Sequence, residues 1–298
     1  MGEGVGLNRQ QQAKTLPASV NEDKRILKIT AKVIEQKQKN EAEAEKLLSS
    51  IDEYLLKELG IKLPQPPENT LKNRMYITTF KKLESRLDPQ FYLTYFTELE
   101  KAIQNAPNKV FRLDAIFEIN RGGSPRPIHH YLTEDENGFN WVKIGDTKND
   151  DKYIYQTSDK IIPAGARYSR KVEVGDFILS NSMSFGRPYI MKIEGYIHDG
   201  WLLFKPKFSD FNADYFHSIL SSKLLYQLFK KATIGGVVEN LNIDLVKKVS
   251  IPVPSLDKQT KIANHIIGIR QQAQQLKDKT RELLKKASEE IEKILIGK

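Results

Sequence analysis

The sequence contains no cysteine among its 298 residues. That absence excludes disulfide bonds, zinc sites built on thiolates and cysteine nucleophiles. Histidine is scarce as well, with five residues in the chain. No long apolar run is present, and residues 1–20 lack the apolar stretch that a signal peptide carries. The sequence therefore predicts a protein of a reducing compartment, and we expect it in the cytoplasm.

The motifs of common catalytic sites are missing too. The chain has no G-x-x-x-x-G-K-[ST] phosphate loop, no H-E-x-x-H zinc helix and no G-x-S-x-G nucleophile turn. Arg121-Gly122-Gly123-Ser124 lacks the lysine and the apolar helix that a phosphate loop needs. His129, His130 and His198 have no partners at metal-ligand spacing. A methyltransferase loop and a glycine-rich cofactor loop are also absent, so we predict no catalytic residue, no metal and no cofactor in this chain.

The charge balance is basic but evenly spread. The formal net charge is +9, with 29% charged and 39% hydrophobic residues. No single tail carries the excess of lysine and arginine. Such a surplus fits a folded surface that meets phosphate at several places, and it fits equally a mildly basic protein that meets none.

The last forty residues carry the clearest periodicity. Apolar and small residues follow alternating four- and three-residue spacing at Ile262, Ile266, Ile269, Ala273, Leu276, Thr280, Leu283, Ala287, Glu290 and Ile294. The pattern predicts a coiled-coil helix over residues 257–298. Because this seam holds alanine, threonine and one glutamate, we expect it to need a specific partner helix.

A second long helix is predicted from about Glu22 to Leu59, with Gly60 as its stop. Its apolar positions make it the natural partner of the C-terminal helix. The stretch from Glu35 to Glu43 is almost wholly polar, so we expect it to face solvent or another subunit rather than a core. Residues 1–62 are thus predicted to form an N-terminal tail and a spacer helix.

Between the helices the sequence predicts a linker and a globular domain. The prolines of Leu63–Asn69 stop the helix, and residues 63–106 then hold a short strand near Tyr76 and a helix that follows Asp88. Residues 107–256 read as short strands and loops with one helix from about Ala213 to Lys231. The predicted fold class is α+β, in which a β-rich mixed domain is combined with two long helices in an antiparallel coiled coil.

Three loops of this domain are rich in hydrogen-bond donors. They are Asn120–Pro127, Ser180–Pro188 and Thr233–Asn242. Arginine suits bidentate contact to guanine, asparagine suits adenine, and glycine allows close approach of the backbone to phosphate. The alternative is that these loops are solvated turns, because glycine, serine and asparagine are common in any loop.

The same loops carry a resemblance to a known family. Residues Phe111–Ser255 resemble the target recognition domain of the specificity subunits of type I restriction-modification systems. The motifs that match are Gly122-Gly123-Ser124-Pro125, Trp141-Val142-Lys143-Ile144-Gly145-Asp146, Gly175-Asp176-Phe177-Ile178-Leu179-Ser180-Asn181-Ser182, Asn240-Leu241-Asn242, Ile251-Pro252-Val253-Pro254-Ser255-Leu256 and Gln259. Glu58-Leu59-Gly60-Ile61 and Leu83–Pro89 resemble the family's conserved helix and the lead-in to its second domain.

The resemblance implies a half-length specificity subunit that reads one half of a bipartite target in double-stranded DNA. Its helix pair would set the spacing between half-sites and dock methyltransferase (and restriction) subunits. S-adenosylmethionine would lie on the methyltransferase, and a homodimer would restore two recognition domains. The residues we expect to face DNA are Arg121, Ser124, Arg126, Lys143, Ser180, Asn181, Ser184 and Arg187, whereas Trp141, Ile178 and Trp201 are expected in the core.

Two other readings of the sequence remain open. The chain could be an interaction scaffold whose helices bind protein partners and whose domain does not touch DNA. It could also be an enzyme, although that reading needs a catalytic site that the sequence does not reveal. Salt-dependent DNA binding separates the first alternative from the specificity subunit, and a hydrolysis assay tests the second.

Overall fold

The computed structural model describes residues 20–66, 68, 70–75, 77, 79, 83, 88–148, 151–181, 185–208, 211–233 and 240–296. The chain divides into two compact units. The helical unit comprises the described residues of Met1–Ser49 and Gly268–Lys298, and the globular unit is Ser50–Ile267. The predicted strand near Tyr76 lies outside the described residues.

Nine α-helices occur in the described residues: α1 Val20–Leu59, α2 Leu71–Arg74, α3 Thr94–Gln104, α4 Leu113–Ile116, α5 Pro163–Ala166, α6 Ala213–Leu220, α7 Lys223–Thr233, α8 Ile243–Lys248 and α9 Leu256–Ile296. The strands described there are β1 Val110–Arg112, β2 Phe117–Arg121, β3 Leu132–Thr133, β4 Phe139–Val142, β5 Tyr153–Ile154, β6 Asp159–Ile161, β7 Arg170–Val172, β8 Phe177–Ser180, β9 Pro188–Met191, β10 Gly195–Ile197, β11 Trp201–Pro206 and β12 Ser250–Pro252. The α+β fold class predicted from the sequence is confirmed.

In the helical unit, α1 and α9 run antiparallel. Arg25 of α1 forms an ion pair with Glu290 of α9 at 3.5 Å, and Asn40 of α1 bonds to Thr280 of α9. The partner numbers fall along α9 as they rise along α1, which is the signature of antiparallel helices. Five buried residues of this unit lie at positions that the sequence predicts for the seam: Val33, Ala44, Ala273, Thr280 and Ala287.

The expectation that the polar middle of α1 avoids burial is wrong at Asn40. Its side chain is 7% exposed and donates to the Thr280 hydroxyl at 3.0 Å, while Gln36 donates to its carbonyl oxygen at 2.8 Å. Two polar side chains thus face each other across the seam and satisfy one another, which removes the cost of burying either alone. The other residues from Glu35 to Glu43 are exposed or half-buried.

The N-terminal long helix ends as the sequence predicts. Gly60 has a positive φ of 70°, a conformation that side chains with a Cβ rarely adopt. The Gly60 amide donates to Lys57 and the Ile61 amide donates to Leu56, at 3.1 and 2.9 Å. These bonds satisfy the last carbonyl groups of α1 and turn the chain towards the linker.

The globular unit contains two five-stranded sheets and a two-stranded ribbon. One sheet has the order β3-β6-β4-β10-β7, the other has the order β2-β11-β8-β9-β5, and β1 pairs with β12. Most pairs are antiparallel, but β10 with β4 and β5 with β9 are parallel. The Trp201 indole donates to the Val142 carbonyl at 3.1 Å and so joins the first residue of β11 to the last residue of β4.

The core lies between and beside these sheets. Trp141, Ile178 and Trp201 are at most 1% exposed, so the prediction that they are core residues is confirmed. Trp201 and Ile178 belong to the larger cluster with Tyr189 and Met191, whereas Trp141 packs with Ile161 and Ala166 in a second cluster. Burial of such side chains stabilises the domain by roughly 1.5–3 kcal/mol each.

The single helix predicted from Ala213 to Lys231 is observed as two helices, α6 and α7. Ser221 and Ser222 separate them. The Ser221 hydroxyl donates to the His217 carbonyl, and the Ser222 hydroxyl accepts from the Leu225 amide at 3.2 Å. Serine side chains compete with the helix for main-chain partners, and here they end one helix and cap the next.

The unit boundaries differ from the predicted domain ends. The division falls inside both long helices, so residues 50–62 and 257–267 belong with the globular unit. The predicted domains, 1–62, 63–106, 107–256 and 257–298, remain predictions. None of the described helices is long and apolar enough to cross a membrane.

Candidate nucleic-acid interface

A groove of about 760 Å³ opens on one side of the first sheet. Its walls come from the loop after β2, the turn before β3, and the ends of β4, β6 and β10. Three residues that the sequence predicts to face DNA line it together: Ser124, Arg126 and Lys143. The rest of the lining is Pro125, Pro127, Ile128, His129, Leu132, Trp141, Asp159 and His198.

Asp199 organises one wall of this groove. The Ser124 hydroxyl donates to its carboxylate at 2.7 Å, and the Arg126 guanidinium donates to the other carboxylate oxygen at 3.3 Å. The Asp199 amide in turn donates to the Ser124 oxygen at 3.3 Å. One carboxylate thus fixes the rotamers of a serine and an arginine that come from a loop of glycine and proline.

His198 contacts the same carboxylate. Its Nε2 lies 3.0 Å from Asp199 Oδ1, and its Nδ1 accepts from the Gly200 amide at 2.9 Å. Because Nδ1 is an acceptor, the ring proton sits on Nε2 and points at the carboxylate. Burial lowers the pKa of His198, against the attraction of Asp199, so the ring is favoured in its neutral form.

The Asp199 carboxylate keeps its charge. Burial raises its pKa, but the hydrogen bond from Ser124, the contact with the His198 ring and the charge of Arg126 lower it by more, so the net shift is downward. Ser124 and His198 both bond to this one carboxylate and the structure shows no bond between them. The Asp199 carboxylate therefore holds both side chains in place on the same wall of the groove.

Lys143 forms the opposite wall with Asp159. Its ammonium group donates to Asp159 Oδ2 at 2.5 Å, and both side chains are about one-third exposed. Lys143 follows directly after the buried strand residues Trp141 and Val142, so the core places it. The ion pair leaves the lysine at the mouth of the groove with hydrogen bonds still to give.

The glycines of the Gly122-Gly123 pair approach the protein's own backbone. A Cβ added at Gly122 would lie 2.2 Å from the His198 oxygen, and one at Gly123 would lie 2.4 Å from the Tyr168 oxygen. Their amides donate to the carbonyls of Trp201 and Ile197 at 2.9 and 3.1 Å. The two glycines therefore serve the packing of the loop, and their amides already have partners within the protein. The expected approach of this backbone to phosphate stays a prediction.

Arg121 ends β2 beside this loop. Its side chain is exposed, and its Nε lies 3.4 Å from the main-chain oxygen of Asp199. Asn120 and Arg121 are strand residues, although the sequence predicts them in an irregular loop. Because they pair with Leu203 and Leu202 of β11, the irregular part of the loop begins only at Gly122.

The described residues of the second predicted loop do not line the groove. Ser180 is 3% exposed and Asn181 is fully buried, and neither lines the groove. The Arg187 amide donates to the Ser180 hydroxyl at 3.0 Å, and the Arg187 side chain is half-buried. Ser184, like most of the loop 233–242, lies outside the described residues. DNA contact stays a prediction for these four residues and for Arg121, Ser124, Arg126 and Lys143.

Asn181 has an unusual environment. Its side-chain nitrogen and oxygen are both buried and make no hydrogen bond to protein atoms. Its main chain is fully engaged, because its amide donates to Gly200 and its carbonyl accepts from Leu241. A buried amide without partners costs free energy, and the described residues give no account of it.

Sequence reasoning missed two important members of the groove. Asp159 and Asp199 supply the carboxylates that hold Lys143 and Arg126. The sequence gives little indication of their role, because single aspartates in strands and turns are common. The brief polar stretch His198-Asp199-Gly200 between the buried strands β10 and β11 is the one local feature that could have indicated a site.

Several residues of the motifs that carry the family resemblance hold the domain together. Asp146 accepts from the Lys143 and Ser158 amides at 2.7 and 3.0 Å. Asn242 caps α8 by accepting from two amides. Gln259 is 3% exposed, accepts from the Asn212 amide at 3.0 Å and donates to the Pro254 carbonyl at 2.9 Å.

Asp176 is also buried within such a motif. It is 4% exposed, and its carboxylate accepts from the Glu173 amide at 2.8 Å. Burial raises the pKa of Asp176 above its usual value, although the hydrogen bond from Glu173 opposes the shift. Among the described residues no group of three or more histidine, aspartate or glutamate side chains is arranged to hold a metal ion.

The fold and the groove define a class of protein: a mixed α+β recognition module whose chain also supplies two long antiparallel helices. The chain belongs to the family of the type I restriction modification DNA specificity domain, which its residues 105–293 match.

Solved structures of that family share the fold. The HsdS subunit from Thermoanaerobacter tengcongensis aligns with a TM-score of 0.54 at 15% identity, covering 92% of this chain and 58% of that one. The S subunit from M. genitalium aligns with a TM-score of 0.51 at 16% identity, covering 93% and 61%. A chain from a structure on complex assembly and conformational transition of the type I R-M system aligns at 0.56 and 14% identity, covering 94% and 60%. The present chain therefore spans about 60% of the length of these relatives.

Proposed function

We propose that this chain is the DNA sequence-specificity subunit of a type I restriction-modification complex and reads one half of a bipartite target with the groove. The observation that carries the proposal is the convergence of Ser124, Arg126 and Lys143 in one groove of a domain that belongs to the DNA specificity family. These residues are separated in sequence but share one surface, and each is held by a carboxylate of the same domain.

The chemistry of the groove suits the edges of bases. Arginine and lysine donate to the two acceptors of guanine, and a serine hydroxyl both donates and accepts. Asp199 orients Arg126 and Asp159 orients Lys143 before DNA binds. These side chains therefore lose less conformational entropy on binding. Asp159 and Asp199 are also suitable acceptors for the amino group of cytosine.

In this proposal the chain has no catalytic activity of its own, and the chemistry belongs to its partner subunits. The helix pair docks a methyltransferase subunit, which carries S-adenosylmethionine, and the assembled complex also accepts restriction subunits. The solved structure on complex assembly of the type I R-M system, which shares this fold, supports such a partnership. The complex would act on DNA in the cytoplasm.

A homodimer completes the proposal. The described chain contains one globular unit, so two copies would supply the two recognition domains of a bipartite reader and give a symmetric, interrupted target. Light scattering of the chain with and without a target duplex tests this point. A monomer in both states at micromolar concentration contradicts the dimer but leaves the reading of one half-site intact.

The experiment that tests the function starts with co-purification of the chain with a type I methyltransferase subunit from the same source. The complex is then bound to a library of random duplexes, and the bound DNA is sequenced. We expect a split motif, and a palindrome if the chain is a homodimer. Stable association without any enriched sequence would contradict DNA reading and favour the interaction scaffold.

A further inference from the structure

Two arginines beside the groove have no acidic partner. Among the described side chains, Arg167 and Arg170 are exposed and form no ion pair, and Arg121 bonds only to a main-chain oxygen. Other arginines of the described chain are neutralised, because Arg25, Arg112, Arg126 and Arg281 each pair with a carboxylate. Arg121, Arg167 and Arg170 all belong to the globular unit.

The turn that carries them packs directly on the groove loop. Arg167 follows α5, and Arg170 begins β7 opposite Ile197. The Ile197 carbonyl accepts from both the Gly123 amide, at 3.1 Å, and the Ser169 hydroxyl, at 2.9 Å. The turn and the groove loop are therefore bonded to the same carbonyl group.

The close packing of Gly123 fixes this arrangement further. A Cβ at Gly123 would lie 2.4 Å from the Tyr168 oxygen, so the two backbones touch. On the other side of the turn, Gly165 packs against the Tyr131 side chain, and the Tyr131 and Tyr168 rings lie edge to face at 5.9 Å. Residues 167–170 are thus held at a set position beside the loop that bears Ser124 and Arg126.

Cationic side chains that pair with a carboxylate and those that do not are suited to different contacts with DNA. Arg126 and Lys143 sit against carboxylates at 3.3 and 2.5 Å, so each pair adds little net positive field and presents oriented donors instead. Arg167 and Arg170 carry uncompensated charge at the surface. An uncompensated cation attracts phosphate and releases counterions when it binds, whatever the base sequence.

We propose that Arg167 and Arg170 bind the phosphate backbone of DNA and position the duplex so that its bases meet the groove. The inference rests on the proposed function and assigns it a second, sequence-independent set of contacts. Arg121 extends the same edge on the other side of the loop, where its guanidinium is exposed. The groove residues then discriminate between bases. Arg121, Arg167 and Arg170, here called the arginine edge, determine the position of the duplex relative to the groove and the affinity of binding.

The test measures salt dependence with single charge-removing variants. Arg167→Gln and Arg170→Gln are compared with Lys171→Gln in the complex of full chain and methyltransferase subunit. Lys171 is the matched control, because it is exposed on the same strand but pairs with Glu173 and Glu194. Dissociation constants are measured over a range of salt concentrations for a selected target duplex and for a scrambled duplex.

Each arginine variant is expected to weaken binding to both duplexes by the same factor. It should also reduce the slope of log affinity against log salt by about 0.9, the value for one lost phosphate contact. Lys171→Gln should leave the slope unchanged. Equal slope changes in all three variants would show a general effect of net charge and overturn the assignment.

Two further outcomes are separable. If the wild-type complex binds neither duplex, the proposed function itself fails, and this inference fails with it. If the wild-type complex selects its target but the arginine variants match the control, the function stands and the arginine edge is overturned. A loss confined to the target duplex would also overturn it, because it would make these arginines base readers.

Discussion

Arg126 gives the sharpest test of base reading in the groove. Its side chain is 77% exposed and its ion pair with Asp199 spans 3.3 Å, so Arg126→Ala removes an exposed pair worth at most about 1 kcal/mol to folding. A bidentate contact to a base is worth roughly 1–3 kcal/mol of discrimination. Binding to the target duplex should therefore weaken by roughly 5- to 150-fold, while the melting temperature changes little.

The assay compares a target duplex with a scrambled duplex under identical salt. Arg112→Ala is the matched control, because Arg112 forms the same kind of exposed ion pair, with Asp114, away from the groove. We expect Arg126→Ala to lose target binding and to keep its weaker affinity for scrambled DNA, and Arg112→Ala to change neither. Equal loss on both duplexes would refute base reading and make Arg126 a phosphate contact.

Three further predictions concern the frame of the site. Gln259→Ala leaves a buried amide and carbonyl unpaired, so urea unfolding should show a loss of about 2–4 kcal/mol, whereas Gln271→Ala, exposed on the same helix, should lose under about 0.5 kcal/mol. Gly123→Ala should destabilise by about 1–3 kcal/mol, whereas Gly145→Ala, with open space around it, should melt like the wild type. Burial lowers the pKa of His198 in the folded chain. As the pH falls below the usual value of 6.5, this side chain therefore binds more protons in the unfolded chain than in the folded chain. Stability should thus fall as pH drops through that window, and fall less in His198→Gln; an unchanged pH profile in the variant would contradict this.

The elements with strong periodicity were predictable from the sequence. The spacing from Ile262 to Ile294 predicts α9, and Gly60 predicts the end of α1. Apolar strands also predict the burial of Trp141 and Trp201. These features depend on local pattern and on hydrophobic burial, which a single sequence displays directly.

Features that depend on distant partners were not predictable. Asn40 reads as a solvent-facing residue, and only the approach of Thr280, far along the chain, makes its burial favourable. Ser180 and Asn181 read as exposed loop residues, yet the burial of strand β8 continues through both. The carboxylates at the groove come from β6 and the β10–β11 turn, whose proximity to the glycine loop is a consequence of sheet order.

The division of labour inside the motifs explains why a resemblance identifies the family but not the DNA target. Asp146, Asn242 and Gln259 bond to main-chain groups of their own domain, and these bonds are needed whatever bases are read. Ser124 and Arg126 instead bond to the side chain of Asp199 at the open groove. In the proposed function, exchange of these two residues would change the donors offered to DNA while the bonds of Asp146, Asn242 and Gln259 remain. The target would then be specified by the groove residues rather than by the residues that hold the domain together.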